Sequence, residues 1–304
     1  TNLKKLGLTA LAGSLVATSA FAGEMSVSGT AKVSYTSGDT LTTTTNPWSA
    51  SNALSFSGGG ELDNGMSVSV SIATDTGSTA FSSSNMVLDM GDAGKFAVSK
   101  EMSSGHGYNA YQDKMPTAGE EVWDDMAGEA SGRVGMEDNG TISYGNSIAG
   151  ANFSVAYNKD SATDGSDKSV GIDYSPVDGL MIFGARADVS AGSNATNKHT
   201  TFGATYTTMG ATIGMQRTAL SKNTANTDED RTHIAASFAV NENLSVSYGM
   251  STVEFESSAK TDQEDSGFAA SYTMGSMSFS ASSNKSDNAS GTSGNDDTHK
   301  EVSV

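Results

Sequence analysis

Residues 24–35, EMSVSGTAKVSY, alternate at period two: Met25, Val27, Ala31, Val33 and Tyr35 fall on one face of an extended chain, and Ser26, Ser28, Thr30, Lys32 and Ser34 on the other. Successive side chains of a β-strand point to opposite sides, so this pattern predicts a strand with one apolar and one polar face. It recurs in SVSVSIA (Val68, Val70, Ile72), NFSVAY (Phe153, Val155, Tyr157), SVGIDY (Val170, Ile172, Tyr174), LSVSYGM (Leu244, Val246, Tyr248, Met250) and MSFSA (Met277, Phe279, Ala281). A soluble sandwich and a membrane barrel both need such one-sidedness. The connections separate them.

Short turn signals stand at Asp63-Asn64-Gly65, Asp92-Ala93-Gly94, Asn146 to Gly150, Pro176 to Gly179, Thr208-Met209-Gly210, Asn241-Glu242-Asn243 and Gly275-Ser276. The opposite strand ends are joined by longer polar segments, among them 37–50, 159–168, 190–198, 221–230, 257–264 and 286–297. Short turns at one end and long loops at the other is the asymmetry of an outer-membrane barrel, and counting hairpins predicts about sixteen antiparallel strands. Tyr144, Tyr174, Tyr206, Phe238 and Tyr272 each precede a short turn on the apolar parity, at spacings of 30, 32, 32 and 34 residues. Such regularity predicts an aromatic girdle at the periplasmic interface.

Closure explains the composition. In lipid every backbone donor and acceptor must be paired, and a closed antiparallel sheet does that without an apolar interior. A chain only 36% hydrophobic and rich in Ser, Thr and Gly then needs no buried core. It contains no cysteine, so disulfides do not hold it. A net charge of −18 argues against a nucleic-acid partner.

Residues 1–22 read as a cleaved signal peptide, with basic Lys4 and Lys5, an apolar run from Leu6 to Ala17, and an Ala20-Phe21-Ala22 cleavage signal. The barrel is assigned to 23–304. The chain ends in KEVSV, within what counts as the sixteenth strand. That strand is therefore expected to be truncated, leaving unpaired edges.

One segment breaks the rhythm. Between Lys100 and Arg133 lies a long stretch carrying Glu120, Glu121, Asp124, Asp125 and Glu129. An ordinary solvated surface loop is one reading. The other folds it into the lumen, where an acidic loop facing a basic wall would set a transverse field across a constriction. By parity Lys32, Lys95, Arg186, Arg231 and His233 are expected to face the lumen. Lys100 shares the apolar parity of Phe96 and Val98, so it reaches the pore only if its strand breaks near Ser99.

The stretch RVGMEDNGTISYGNSIAGANFSVAYNK, Arg133 to Lys159, resembles the segment after the constriction loop of Gram-negative general porins. GGELDNGMSVSV from Gly59 is similar to their second hairpin, and NMVLDMGDAGKFAVSK from Asn85 to Lys100 to the hairpin that ends in a pore-lining basic residue. The small-residue, acidic style is closest to porins of marine alphaproteobacteria. The resemblance implies a trimeric diffusion channel in the outer membrane of a Gram-negative bacterium, surrounded by lipid and lipopolysaccharide. It places Lys100 and Arg133 at basic constriction positions, and parity adds Lys32 and Arg186 to the basic side. Glu120 and Glu121 fall at the acidic motif, although Pro116-Thr-Ala-Gly-Glu-Glu121 departs from the family's usual order.

No enzyme constellation stands out: His106, His199, His233 and His299 are scattered and lack metal-site spacing. No cofactor is expected, apart from structural Ca²⁺ at acidic loops such as Asp228-Glu229-Asp230 and Asp296-Asp297. The expected function is passive diffusion of small hydrophilic solutes and ions with a weak cation preference. A non-conducting structural or adhesive barrel and a secreted β-solenoid adhesin are the alternatives; solenoids repeat rung sequences at a fixed period, which this chain does not.

Overall fold

The computed structural model describes residues 25–38, 46–75, 82–100, 107–119, 121–123, 126, 128, 139–159, 165–192 and 195–304. Its strands in chain order are β1 (Met25–Gly38), β2 (Trp48–Glu61), β3 (Ser67–Asp75), β4 (Ser83–Asp89), β5 (Lys95–Lys100), β6 (Asn139–Ile148), β7 (Ala151–Asn158) and β8 (Asp167–Val177). They continue as β9 (Leu180–Ser190), β10 (Thr196–Thr208), β11 (Ala211–Ser221), β12 (Glu229–Ala239), β13 (Leu244–Phe255), β14 (Gln263–Met274), β15 (Met277–Asp287) and β16 (Asp297–Ser303). Each pairs antiparallel with its sequence neighbours, and β1 pairs with β16 to close the barrel. This is the sixteen-stranded barrel that the alternation predicts.

Strand β16 is short and closes the barrel along only part of β1. Residues 34–38 of β1 pair with 299–303 of β16, and Val33 and Val304 exchange two backbone hydrogen bonds. Residues 25–32 pair with β2 on one side, and their other edge has no pairing with β16.

The short turns lie where the sequence places them. At Ala149-Gly150 and Met209-Gly210 both residues have positive φ (54° and 81°; 48° and 79°), the geometry of a two-residue type I′ hairpin whose twist matches the strands it joins. The alternation also holds. Outward residues such as Ile172, Phe202, Ile213, Met250 and Phe268 are half exposed, whereas their sequence neighbours Gly171, Thr201, Gly214, Ser251 and Gly267 are buried against the interior.

Packing inside the barrel is concentrated under one segment. Tyr108, Tyr111, Met115, Val122 and Trp123 pack against Phe183, Ala185, Ala187, Val189 and Ala235. Strand β9 is apolar on its inner side: Phe183, Ala185, Ala187 and Val189 face in, beneath the segment.

Candidate functional site

The segment 107–128, in its described residues, lies within the barrel and follows the inner wall from β7 to β15. It enters with a 3-10 turn, Gly107–Ala110, packed on β7, β8 and β9. The backbone N–H groups of Gly107 and Tyr108 donate to the Ser154 and Ser169 hydroxyls at 2.7 and 3.0 Å. The Tyr111 hydroxyl donates to Asp173 Oδ2 at 2.7 Å, and its ring stacks on Phe183 with centroids 6.3 Å apart. Further on, Ala118 N–H donates to Ser247 Oγ at 2.8 Å, and Asn284 Nδ2 donates to the Glu121 carbonyl at 2.8 Å. Gln263 Nε2 donates to the Gly128 carbonyl at 3.0 Å. The lumenal reading of this segment is thus the one the geometry carries.

Aromatic rings anchor it. Tyr108 lies edge-on to His199 at 6.0 Å, and Trp123 lies against His233 at 4.4 Å. Burial holds the Tyr108 phenol up at about 12. Burial also raises Tyr111, with the hydrogen bond to the Asp173 carboxylate adding to it. Inward glycines make room: a Cβ on Gly171 would lie 2.2 Å from the Tyr111 ring, and one on Gly249 2.9 Å from Val122. A carbon there would lift the segment off the wall.

The facing wall, β1 to β6, is neutral over its middle. Ser26, Ser57, Ser71, Asn85, Ser99 and Thr141 are successive cross-strand neighbours on the inner face. Ser26 and Ser57 share a 2.7 Å hydrogen bond, and the Ser99 hydroxyl donates to Asn85 Oδ1 at 3.0 Å. Charge returns at the margins, in pairs. Lys32 bonds Glu301 at 2.6 Å and Lys95 bonds Asp89 at 3.0 Å. On the wall beyond the segment, Arg231 bonds Glu229 at 2.7 Å, and Lys222 reaches the same carboxylate.

Two expected basic residues are elsewhere. Arg186 pairs across the sheet with Val170 and Thr200 on the outer face, next to Asp188 at 3.4 Å. The inward positions beside it are Ala185 and Ala187, and because these are apolar the parity of β9 misleads. Lys100 pairs with Ser84, keeping the outer side it shares with Phe96 and Val98. The register irregularity beside it falls on β6, where Gly140 is passed over between Thr141 and Asn139. It does not turn Lys100 inward. The opposed basic wall is thus not formed by these two, and Lys32 lies inward but paired.

Arg133, Glu120, Asp124, Asp125 and Glu129 lie outside the described residues, as does the expected signal peptide, 1–22. Glu121 is within them, half-buried beside Trp123. The aromatics lie at the short-turn end: Tyr174, Tyr206, Phe238 and Tyr272 are exposed on the outer face, each opposite the first residue of the preceding strand. Tyr144 is half-buried and its hydroxyl donates to the Ala93 carbonyl of the neighbouring turn at 2.7 Å.

The acidic run expected to hold Ca²⁺ does not converge. Asp228 accepts from Lys222 N–H, Glu229 turns inward to Arg231, and Asp230 turns outward to Arg217 at 3.2 Å. Among the described residues no group of three or more His, Asp or Glu side chains is arranged to hold a metal ion.

Comparison with known proteins agrees with this architecture. The profile of the Gram-negative porins matches residues 7–304. Among solved structures, a variant porin of Rh. blastica aligns with a TM-score of 0.66 at 14% identity, covering 92% of this chain and 98% of its own. A second variant of that porin aligns at 0.65 and a triple variant, from Rhodopseudomonas blastica, at 0.64, with the same identity and coverage. At that identity the likeness is one of fold. No curated protein sequence matches the chain.

Proposed function

The chain belongs to the Gram-negative porin family and is a porin channel, and from that premise we propose that small hydrophilic solutes and ions diffuse passively between the 107–128 segment and the hydroxyl-rich wall of β1 to β6. The observation that carries this is the tethering of the segment to inward side chains from β7 to β15, which narrows a closed barrel from one side. A filled half and a wetted half make a pore whose size limit is set by the segment's edge. No catalytic step belongs to this function, and it calls for no cofactor.

The channel prefers cations on this reading. The inward cations of the described strands, Lys32, Lys95 and Arg231, each sit on a carboxylate. Asp173 adds inward negative charge, with hydrogen bonds from Tyr111 and Asn152. Because bulk salt screens charges beyond about 8–10 Å, these lumenal groups outweigh the acidic outer loops in setting selectivity.

The outer membrane is its location and a homotrimer its assembly. In support of a subunit contact, the outward residues of β1 to β4 are uncharged, whereas Lys168, Arg186, Asp188, Lys198 and Arg217 face outward on β8 to β11. Tyr174, Tyr206, Phe238 and Tyr272 mark the periplasmic interface, where amphipathic rings are favoured.

The test is the reversal potential of the protein in a planar bilayer under a KCl gradient. Ohmic steps with K⁺ favoured over Cl⁻ are expected. Steps with Cl⁻ favoured would refute the cation preference, and membrane-inserted protein without steps would favour a structural barrel.

A further inference from the structure

Most of the wall side chains that hold the 107–128 segment meet a single group of it. Gln216 on β11 differs. Its Oε1 accepts from Lys114 N–H at 3.2 Å while its Nε2 donates to the Gln112 carbonyl at 2.6 Å, so one amide takes a donor and an acceptor two residues apart. That is the pattern by which a neighbouring strand holds an extended chain. Gln216 is 1% exposed and lies between Gly203 of β10 and His233 of β12.

Its place along the segment matters as much as its bonds. Upstream, Tyr108 and Tyr111 are seated on β8 to β10; downstream, Val122 and Trp123 are seated on β12 to β14. Gln216 holds the stretch between these anchors, just before Met115-Pro116. We propose that Gln216 is the positioning residue of the constriction, fixing the middle of the segment against the wall and so setting the free width of the pore. The inference rests on the channel reading and adds a residue that the charge-based view of the constriction does not contain.

Replacing Gln216 by Glu tests this with little change of shape. A protonated carboxyl has one donor and one acceptor, as the clamp requires; an ionised one has no donor for the Gln112 carbonyl. Around it stand His233 and Arg231 on β12, with Glu229 and Lys222 beyond, and Asp113, Lys114 and Tyr108 on the segment. These same groups are present in the wild type, so the ratio of variant to wild-type current noise isolates the clamp. Loss of one net hydrogen bond corresponds to about five-fold more of the undocked state, or about 1 kcal/mol.

Single channels of wild type, Gln216→Glu and Gln216→Met are recorded in planar bilayers at pH 4 and pH 8, with pH exchanged over the same inserted channel. Gln216→Glu should show about five-fold excess open-channel noise, with larger substates, at pH 8 and wild-type behaviour at pH 4. Gln216→Met should be noisy at both. A Gln216→Glu/wild-type noise ratio that does not change with pH would overturn the proposal, and that comparison decides it even if Gln216→Met fails to fold. A wild-type barrel that passed no current would overturn the porin reading, and this inference with it.

Discussion

Replacing Trp123 by Ala separates the constriction from the barrel that holds it. The indole is 2% exposed, lies 4.4 Å from the His233 ring, and is flanked by buried Val122 and Met126. Truncating a buried Trp to Ala costs about 3–5 kcal/mol. None of the strand ladder depends on Trp123, so this loss falls on docking of the segment. At about 1.4 kcal/mol per decade, even the lower figure raises the undocked-to-docked ratio by more than about a hundred-fold. The bonds from Ala118 to Ser247 and from Asn284 to Glu121 remain and keep the segment in the lumen. Trp123→Ala should therefore give larger mean single-channel conductance, added noise and a wider solute size limit in vesicle swelling, while thermal unfolding of the barrel stays near wild type. Folded Trp123→Ala barrels with wild-type conductance and noise would refute the reasoning. A fall in barrel unfolding temperature with no change in current would make the segment a brace.

Three further outcomes follow from the same geometry. Glu301→Gln removes a nearly buried carboxylate from Lys32, leaving that ammonium on the otherwise neutral wall; the reversal potential should move toward anions. Arg186→Gln changes an outward residue and should leave the reversal potential within error of wild type; an equal shift in both variants would contradict the assigned faces. The Tyr108 and Tyr111 phenols have pKa values raised by burial, so docking strength from them is complete below their ordinary value near 10 and declines as pH rises from there toward about 12. Channel noise should hold steady between pH 7 and 9 and grow above about 10; growth near pH 8 would contradict the burial of these rings.

The fold was legible because a barrel in lipid forces the alternation on every strand. Met25 to Tyr35 and Leu244 to Met250 carry it so plainly that faces follow from parity alone. Parity fails where the lumen is not wet. Phe183, Ala185, Ala187 and Val189 are apolar because a chain segment covers them, and a sequence cannot show what covers a strand until the segment is placed. Parity sets Arg186 on the wrong face for that reason. The side chains that seat the segment were hidden for the opposite one: Ser154, Ser169, Gln216, Ser247 and Asn284 look like any other polar lumenal residue. Only the inward glycines gave a hint. Gly171 and Gly249 interrupt strands with no turn nearby, and a close approach by another chain is the usual cause.

The most direct test of the account uses the absence of cysteine from the chain. Ser71→Cys places a single thiol on the lumenal wall opposite the segment, and Val70→Cys places one on the outer face next to it. Each is inserted in a planar bilayer and treated with a charged, water-soluble methanethiosulfonate during recording. The account predicts a stepwise fall in single-channel current for Ser71→Cys and none for Val70→Cys. Equal effects in the two variants, or none in either despite reaction at Ser71→Cys, would contradict a pore lined by this wall.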